Sequence, residues 1–291
     1  MISQDDYKKV EEVMIDYLNH KPLKNPKEAL KIFKLSRQFA KDMFESVKKG
    51  NYEMAYQPKM NPDGKTVNNA EALFRGKEEY RVNPEVVFVL FKIFKHEKEV
   101  LLDYQIPKIC KDTAKLVNTF GSDFSVSINV ASEQLNEEFY NKLKTELDKN
   151  LLDFSNIEIE FLESESFENM DKIPMIEKLK SEGVKFALDD YGSRNANKHA
   201  LHSMDFDVVK IDKSIIKTAN ATNNYSEVKH IVDIARKKNP KVQIVAEGIE
   251  NDNEIENLKK IGDIQYQGWR FSPAVSPEEL INRFEPKQLG E

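Results

Sequence analysis

Two hydrophobic periodicities alternate along the chain. Tyr7, Val10, Met14, Tyr17 and Leu18 fall on one helical face, and after Lys21-Pro22 a second stripe runs through Leu30, Phe33, Phe39, Met43 and Phe44. Apolar positions three and four residues apart predict helices up to Gly50-Asn51. The pattern then changes to short β-rich segments. Strands are predicted at Glu53–Lys59, Val67–Arg75, Phe124–Val130, Ile157–Glu163, Val184–Asp190, Val208–Asp212, Val242–Gly248 and Tyr266–Ser272. Helical patterns fill the gaps at roughly 84–118, 132–149, 167–182, 195–204, 224–238 and 252–261. A last helix opens at Ser276-Pro277-Glu278-Glu279, with Ser276 as N-cap, Pro277 in the first position and Glu279 placed to close a capping box.

Strands alternating with helices predict an α/β fold with a closed, parallel (β/α) barrel. The first strand is the exception. Only Met60 to Thr66, containing Asn61-Pro62-Asp63-Gly64, separates it from the second. A link that short is a hairpin, so these two strands run antiparallel. A length of 291 residues permits one or two domains, and a barrel can use nearly all of it as one.

Composition narrows the partners. Acidic residues outnumber basic ones 50 to 44, for a formal charge of −6. A mildly acidic chain is a poor binder of duplex nucleic acid. The lone cysteine, Cys110, excludes a disulfide within the chain and favours a cytoplasmic location. The most apolar run, Val86 to Phe94, carries Lys92 and falls far short of the about 20 residues a membrane span needs. MISQDDYKKVEE has no apolar core and does not read as a secretory signal.

Reacting groups in such barrels sit at the C-terminal ends of the strands. Glu71 and Arg75 share a parity on the second predicted strand, Asn129 ends the third, and Glu160 and Glu163 lie on the fourth. Asp189 and Asp190 end the fifth, Lys210 and Asp212 lie on the sixth, Glu247 ends the seventh, and Gln267 lies on the eighth. Singly, each has an ordinary explanation: a helix cap, a turn residue, a salt bridge, a core amide. Together, at one end of seven strands, they do not. Carboxylates facing a barrel mouth repel one another and lose hydration. Hard divalent cations would neutralise them, and carboxylate and amide oxygens suit Mg²⁺ or Mn²⁺. Two ions held near Asp189-Asp190 suit in-line attack of water on a phosphodiester, with Lys210 and Arg75 meeting phosphate charge.

The chain resembles the bacterial EAL-domain family. Glu71-Ala72-Leu73-Phe74-Arg75 matches the family's ExLxR element. Tyr56-Gln57-Pro58-Lys59, Ser127-Ile128-Asn129-Val130, Glu160-Phe161-Leu162-Glu163-Ser164, Asp189-Asp190-Tyr191-Gly192, Val209-Lys210-Ile211-Asp212, Ala246-Glu247-Gly248-Ile249-Glu250 and Gln267-Gly268-Trp269-Arg270-Phe271-Ser272 follow in family order. The resemblance implies a modified TIM barrel with an antiparallel first strand over residues 37–291, with residues 1–36 as a helical extension. It implies hydrolysis of cyclic di-GMP to linear pGpG with two Mg²⁺ or Mn²⁺ ions, and a homodimer. Glu71, Asn129, Glu160 and Asp189 would hold the first ion; Asp189, Asp190 and Glu247 the second. Lys210 would act on the nucleophilic water, with Glu247 as ligand or base and Gln267 beside the metals. Glu163 would brace the loop after the fifth strand, and Glu250 would support the site by hydrogen bonds. Gln57, Arg75 and Asp212 would meet the nucleotide, with Asp212 equally able to pair with Lys210.

Two segments depart from the family. Active members usually follow the aspartates with T/S-G-Y-S-S, where this chain has Ser193-Arg194-Asn195-Ala196-Asn197. Gly76 to Pro84 is shortened and lacks the usual tryptophan and histidine. The altered run leaves an alternative: a weak or inactive domain that serves as a cyclic di-GMP receptor or a protein-interaction module. No GGDEF element is present.

Overall fold

The computed structural model describes residues 10, 12, 26–76, 95–162, 174–193, 201 and 204–284. Tyr7, Met14, Tyr17, Leu18, Glu163, Arg194 and the segments 77–94 and 195–200 lie outside the described residues. The chain forms two compact units, one within Met1–Met54 and Phe74–Lys108, the other comprising Ala55–Leu73 and Ile109–Glu291.

The smaller unit is built around helix α1 (Pro26–Lys48). Ile32, Phe39, Ala40, Met43 and Val47 bury one face, while Phe33 of the predicted stripe is 48% exposed. Phe44 meets Tyr104 edge-on, and Tyr52 stacks on Phe74. Tyr52 OH donates to the Tyr104 carbonyl.

The strands are β1 (Tyr52–Met60), β2 (Val67–Gly76), β3 (Ser125–Asn129), β4 (Ile157–Leu162), β5 (Lys185–Tyr191), β6 (Val208–Ile211), β7 (Gln243–Glu247) and β8 (Gln265–Gln267). They close a barrel in chain order. Pairings from β2 through β8 are parallel, whereas β1 meets β8 antiparallel, with Met60 opposite Tyr266. The 61–66 turn makes this possible. Asn61 N donates to Thr66 O (2.9 Å), and Asp63 Oδ1 accepts from the amides of Lys65 (2.7 Å) and Thr66 (3.0 Å). The hairpin read from Asn61-Pro62-Asp63-Gly64 is therefore present.

The helices are α2 (Lys95–Phe120), α3 (Glu137–Lys149), α4 (Pro174–Glu182), α5 (Lys213–Thr222), α6 (Ser226–Lys238), α7 (Asp252–Lys259) and α8 (Pro277–Arg283). Each of α3 to α8 buries apolar residues, such as Phe139, Leu143 and Leu147 of α3, and Val228, Ile231, Val232 and Ala235 of α6. Ala187, Val208 and Val245, each two residues before a mouth residue on its strand, pack together beneath the polar groups. Small side chains there leave room for the larger polar groups above.

Three local features differ from the sequence reading. Helix α5 was not expected, because KSIIKTANAT is rich in residues of middling helix propensity. It forms because Asp212 caps it and Ile215, Ile216 and Ala219 are buried. At α8, Ser276 Oγ accepts from Glu279 N (3.2 Å) as expected, but the Glu279 carboxylate binds Arg283 instead of closing a capping box. Strand β8 stops at Gln267, five residues before the predicted end. A Cβ on Gly268 would lie 2.2 Å from Ile249 O and 2.3 Å from Ile249 N, so only glycine fits there. The chain turns at that point, and Arg270 N donates to Ile249 O (3.0 Å).

Candidate active site

The inward-facing residues of the barrel form a polar layer at the C-terminal ends of β2 to β8. Its centre is Lys210 of β6, 1% exposed. The Nζ lies 2.6 Å from Asp189 Oδ1, 2.9 Å from Glu160 Oε2, 3.0 Å from Glu247 Oε1 and 3.2 Å from Glu71 Oε2. Four strands thus aim carboxylates at one ammonium. Asn129 Nδ2 donates to Glu71 Oε1 (3.0 Å). Gln267 Nε2 donates to Glu71 Oε2 (2.6 Å) and to Gln57 Oε1 (3.2 Å), and Gln57 Nε2 donates to Ser272 O (3.2 Å).

Asp189 and Asp190 are consecutive in a strand, and such residues normally point to opposite faces. Here the β5–β6 register shifts between Leu188 and Tyr191, a bulge, and Asp190 adopts φ 56°. Bulges re-aim side chains, and aspartate tolerates the left-handed region better than most residues. Both carboxylates consequently serve the same mouth. One oxygen each from Glu71, Glu160 and Asp189 lie within 4.8 Å of one another, and so do those of Asp189, Asp190 and Glu247. Asp189 belongs to both groups.

The charges are unequally balanced. Burial raises the Asp189 carboxyl well above its ordinary range; Lys210 opposes this, but Glu247, Glu160 and Asp190 reinforce it. Burial likewise lifts Asp190 to about 6, with Lys210 opposing and Asp212 and Glu71 adding repulsion. Glu247 rises to about 7 by burial, against Lys210 and with Asp190 and Glu71. Glu160 goes the other way. Burial would raise it, but Lys210 and Lys59 together hold it at about 2. Burial disfavours the Lys210 ammonium, yet the surrounding carboxylates carry its pKa well above the ordinary value. One cation faces more carboxylates than it can neutralise. Closely set hard oxygens with surplus negative charge fit divalent cations such as Mg²⁺ or Mn²⁺. Gln267 Oε1 is a further buried acceptor with no hydrogen-bond partner among the described residues.

The remaining expected residues are placed as follows. Asp212 Oδ1 accepts from Ser214 N (2.9 Å) and from the Ser214 hydroxyl, which caps α5. Arg75 lies near the end of β2 in the smaller unit, where Nη1 donates to Phe74 O (2.8 Å). The Glu250 carboxylate pairs with Lys217 (3.1 Å) at the surface. Glu163 is outside the described residues.

Two buried residues escaped the sequence reading. Lys59 Nζ, one layer deeper, lies 2.6 Å from Glu158 Oε1 and 2.7 Å from Glu160 Oε1. Strand parity carried the signal: Lys59 is two residues from Gln57, and Glu158 two from Glu160.

Residues 40–274 match the EAL domain family. The "Probable cyclic di-GMP phosphodiesterase PdeB" of Escherichia coli (strain K12) is 30% identical over 157 residues, covering 54% of this chain and 30% of PdeB. The chain spans about 30% of the length of PdeB and of other curated relatives it matches. Among solved structures, the PaMucR phosphodiesterase in complex with c-di-GMP superposes with a TM-score of 0.70 at 22% identity, over 84% of this chain and 99% of that one. Klebsiella pneumoniae BlrP1, solved with manganese and c-di-GMP, gives 0.65 at 22% identity over 78% and 57%. These two likenesses bear on the fold, which they share with the barrel described above. With the family match running through all eight strands and the carboxylate mouth, this chain belongs to the EAL domain family.

Proposed function

We propose that the barrel mouth hydrolyses cyclic di-GMP to linear pGpG with two divalent cations, Mg²⁺ or Mn²⁺. The carrying observation is the pair of oxygen clusters that share Asp189. Glu71, Asn129, Glu160 and Asp189 would hold one ion, and Asp189, Asp190 and Glu247 the other. When bound, the ions supply an acidified water and polarise the phosphodiester. In the reaction the water oxygen bonds to phosphorus, the bond from phosphorus to the 3′ oxygen breaks, and that oxygen takes up a proton.

The chain's own residues do the rest. Lys210 fixes a positive charge among the carboxylates and orients the attacking water. Glu247, 3.0 Å from Lys210 through Oε1, would serve either as a ligand of the second ion or as a base toward the attacking water. Gln267 offers its unpartnered Oε1 to the water, and Gln57 lies beside it for a guanine edge. Asp212, which caps α5, would face the nucleotide from the start of that helix. In this reading residues 37–291 are the catalytic barrel, residues 1–36 a helical extension, and the protein works as a cytoplasmic homodimer. Among the described residues, no helix is long and apolar enough to cross a membrane.

The run Ser193 to Asn197 favours a second reading, a receptor that binds cyclic di-GMP without turning it over. Chromatography of cyclic di-GMP incubated with protein and Mn²⁺ separates the two. Hydrolysis predicts pGpG that disappears with Glu71→Ala. Calorimetric binding of intact cyclic di-GMP with no pGpG selects the receptor, and no binding at all removes both.

A further inference from the structure

The metal-facing carboxylate of Glu160 is shared between two buried ammonium groups. Lys210 takes Oε2 at 2.9 Å from the mouth side, and Lys59 takes Oε1 at 2.7 Å from below. Lys59 also holds Glu158 Oε1 at 2.6 Å. The side chains of Lys59, Glu158 and Glu160 are 1%, 2% and 0% exposed, so water screens none of these contacts. Lys59 comes from β1, the reversed strand, while Glu158 and Glu160 come from β4, which is not its neighbour in the sheet. The ammonium therefore bridges the barrel interior beneath the carboxylate mouth.

We infer that Lys59 is a positioning residue for metal binding: by gripping Oε1 from below, it fixes Glu160 as a one-oxygen ligand that presents Oε2 upward. This rests on the two-metal reading given above. Glu158 completes the device. It balances the Lys59 charge, so that the ammonium does not repel a cation bound above it. Residues that hold a metal ligand by its far atom commonly change metal affinity 10- to 100-fold when replaced.

Charge-neutral replacement of the pair isolates the orienting role. Lys59→Met with Glu158→Gln removes one positive and one negative charge at the same depth, leaving Lys210 as the one ammonium on Glu160. Lys59→Ile with Glu158→Leu is the second design, because apolar replacement of a whole buried pair is often tolerated. Calorimetric titration of the full chain with Mn²⁺, without nucleotide, reads each binding step. Wild type should show two steps. In whichever double variant retains the wild-type circular dichroism and urea midpoint, one step should weaken about 10- to 100-fold. The step assigned to Asp189, Asp190 and Glu247 should remain within about threefold. A general loosening of the barrel would weaken both steps together, so that result overturns the inference. So does a folded double variant whose two affinities match wild type. Wild type that binds no Mn²⁺ overturns the metal reading beneath it. Normal Mn²⁺ binding with no turnover of cyclic di-GMP would remove the hydrolase reading and leave the Lys59 result standing.

Discussion

Asp190→Asn should make the metal-free protein more stable, and the gain should depend on pH. The amide matches the carboxylate in shape, and asparagine accepts the φ of 56° as readily as aspartate. Only the charge changes. Burial, with repulsion from Asp212 and Glu71, lifts the Asp190 carboxyl from 3.8 to about 6. Below about pH 3, folded and unfolded chains both hold this proton, and the carboxyl contributes no penalty. Between pH 4 and 6 the unfolded chain releases the proton while the folded chain keeps it, so stability falls as pH rises. Above pH 6 the full deficit is present, about 3 kcal/mol at most for a rise of about two units. The asparagine variant escapes that deficit. Equilibrium urea unfolding with a chelator present should show the two proteins differing by less than about 1 kcal/mol near pH 4. At pH 7.5 the variant should be more stable by about 2–3 kcal/mol. Adding Mn²⁺ at about 100 times its dissociation constant should recover about 2.7 kcal/mol for wild type, and less for the variant. A variant no more stable than wild type at pH 7.5, or a difference unchanged between pH 4 and 7.5, would refute the electrostatic reasoning.

Gly268→Ala should destabilise the barrel by about 2–3 kcal/mol in the same assay, because the new Cβ would meet Ile249 backbone atoms at 2.2 and 2.3 Å. Those atoms bond Gln267 O and Arg270 N, so the clash also displaces Gln267, and Mn²⁺ affinity measured by calorimetry should fall. Leu151→Gly should do the reverse. Leu151 is 94% exposed and sits at φ 57° just past α3, so glycine should raise the urea-derived stability by about 1 kcal/mol. Glu160→Gln should weaken Mn²⁺ binding at every pH. It should also remove the acid-side stability that wild type retains above the ordinary pKa of 4.5 and loses as pH falls toward about 2.

The barrel was legible because its strands are dense in β-branched and apolar residues, and Asn61-Pro62-Asp63-Gly64 announces the reversed first strand. The mouth was legible through position. Glu71, Glu160, Asp189, Lys210, Glu247 and Gln267 stand at strand ends, where a barrel gathers its polar groups, and the structure brings them together. The pairing of Lys59 with Glu158 was not legible: parity puts each on an inward face, but a lysine and a glutamate in different strands meet only once the barrel has closed across its interior. The bulge was equally hidden: the sequence places Asp189-Asp190 at a strand end, but not the shifted register that aims both side chains one way. Helix α5 was missed because its tertiary packing, with the Asp212 cap, outweighs a weak local propensity.

The most direct measurement is anomalous scattering from crystals of the protein grown with Mn²⁺. Two peaks are expected, one beside Glu71, Asn129, Glu160 and Asp189, the other beside Asp189, Asp190 and Glu247, with Asp189 touching both. Saturating Mn²⁺ that leaves no peak among these carboxylates, with Lys210 still bonded to Glu71, Glu160, Asp189 and Glu247, would contradict the two-metal site.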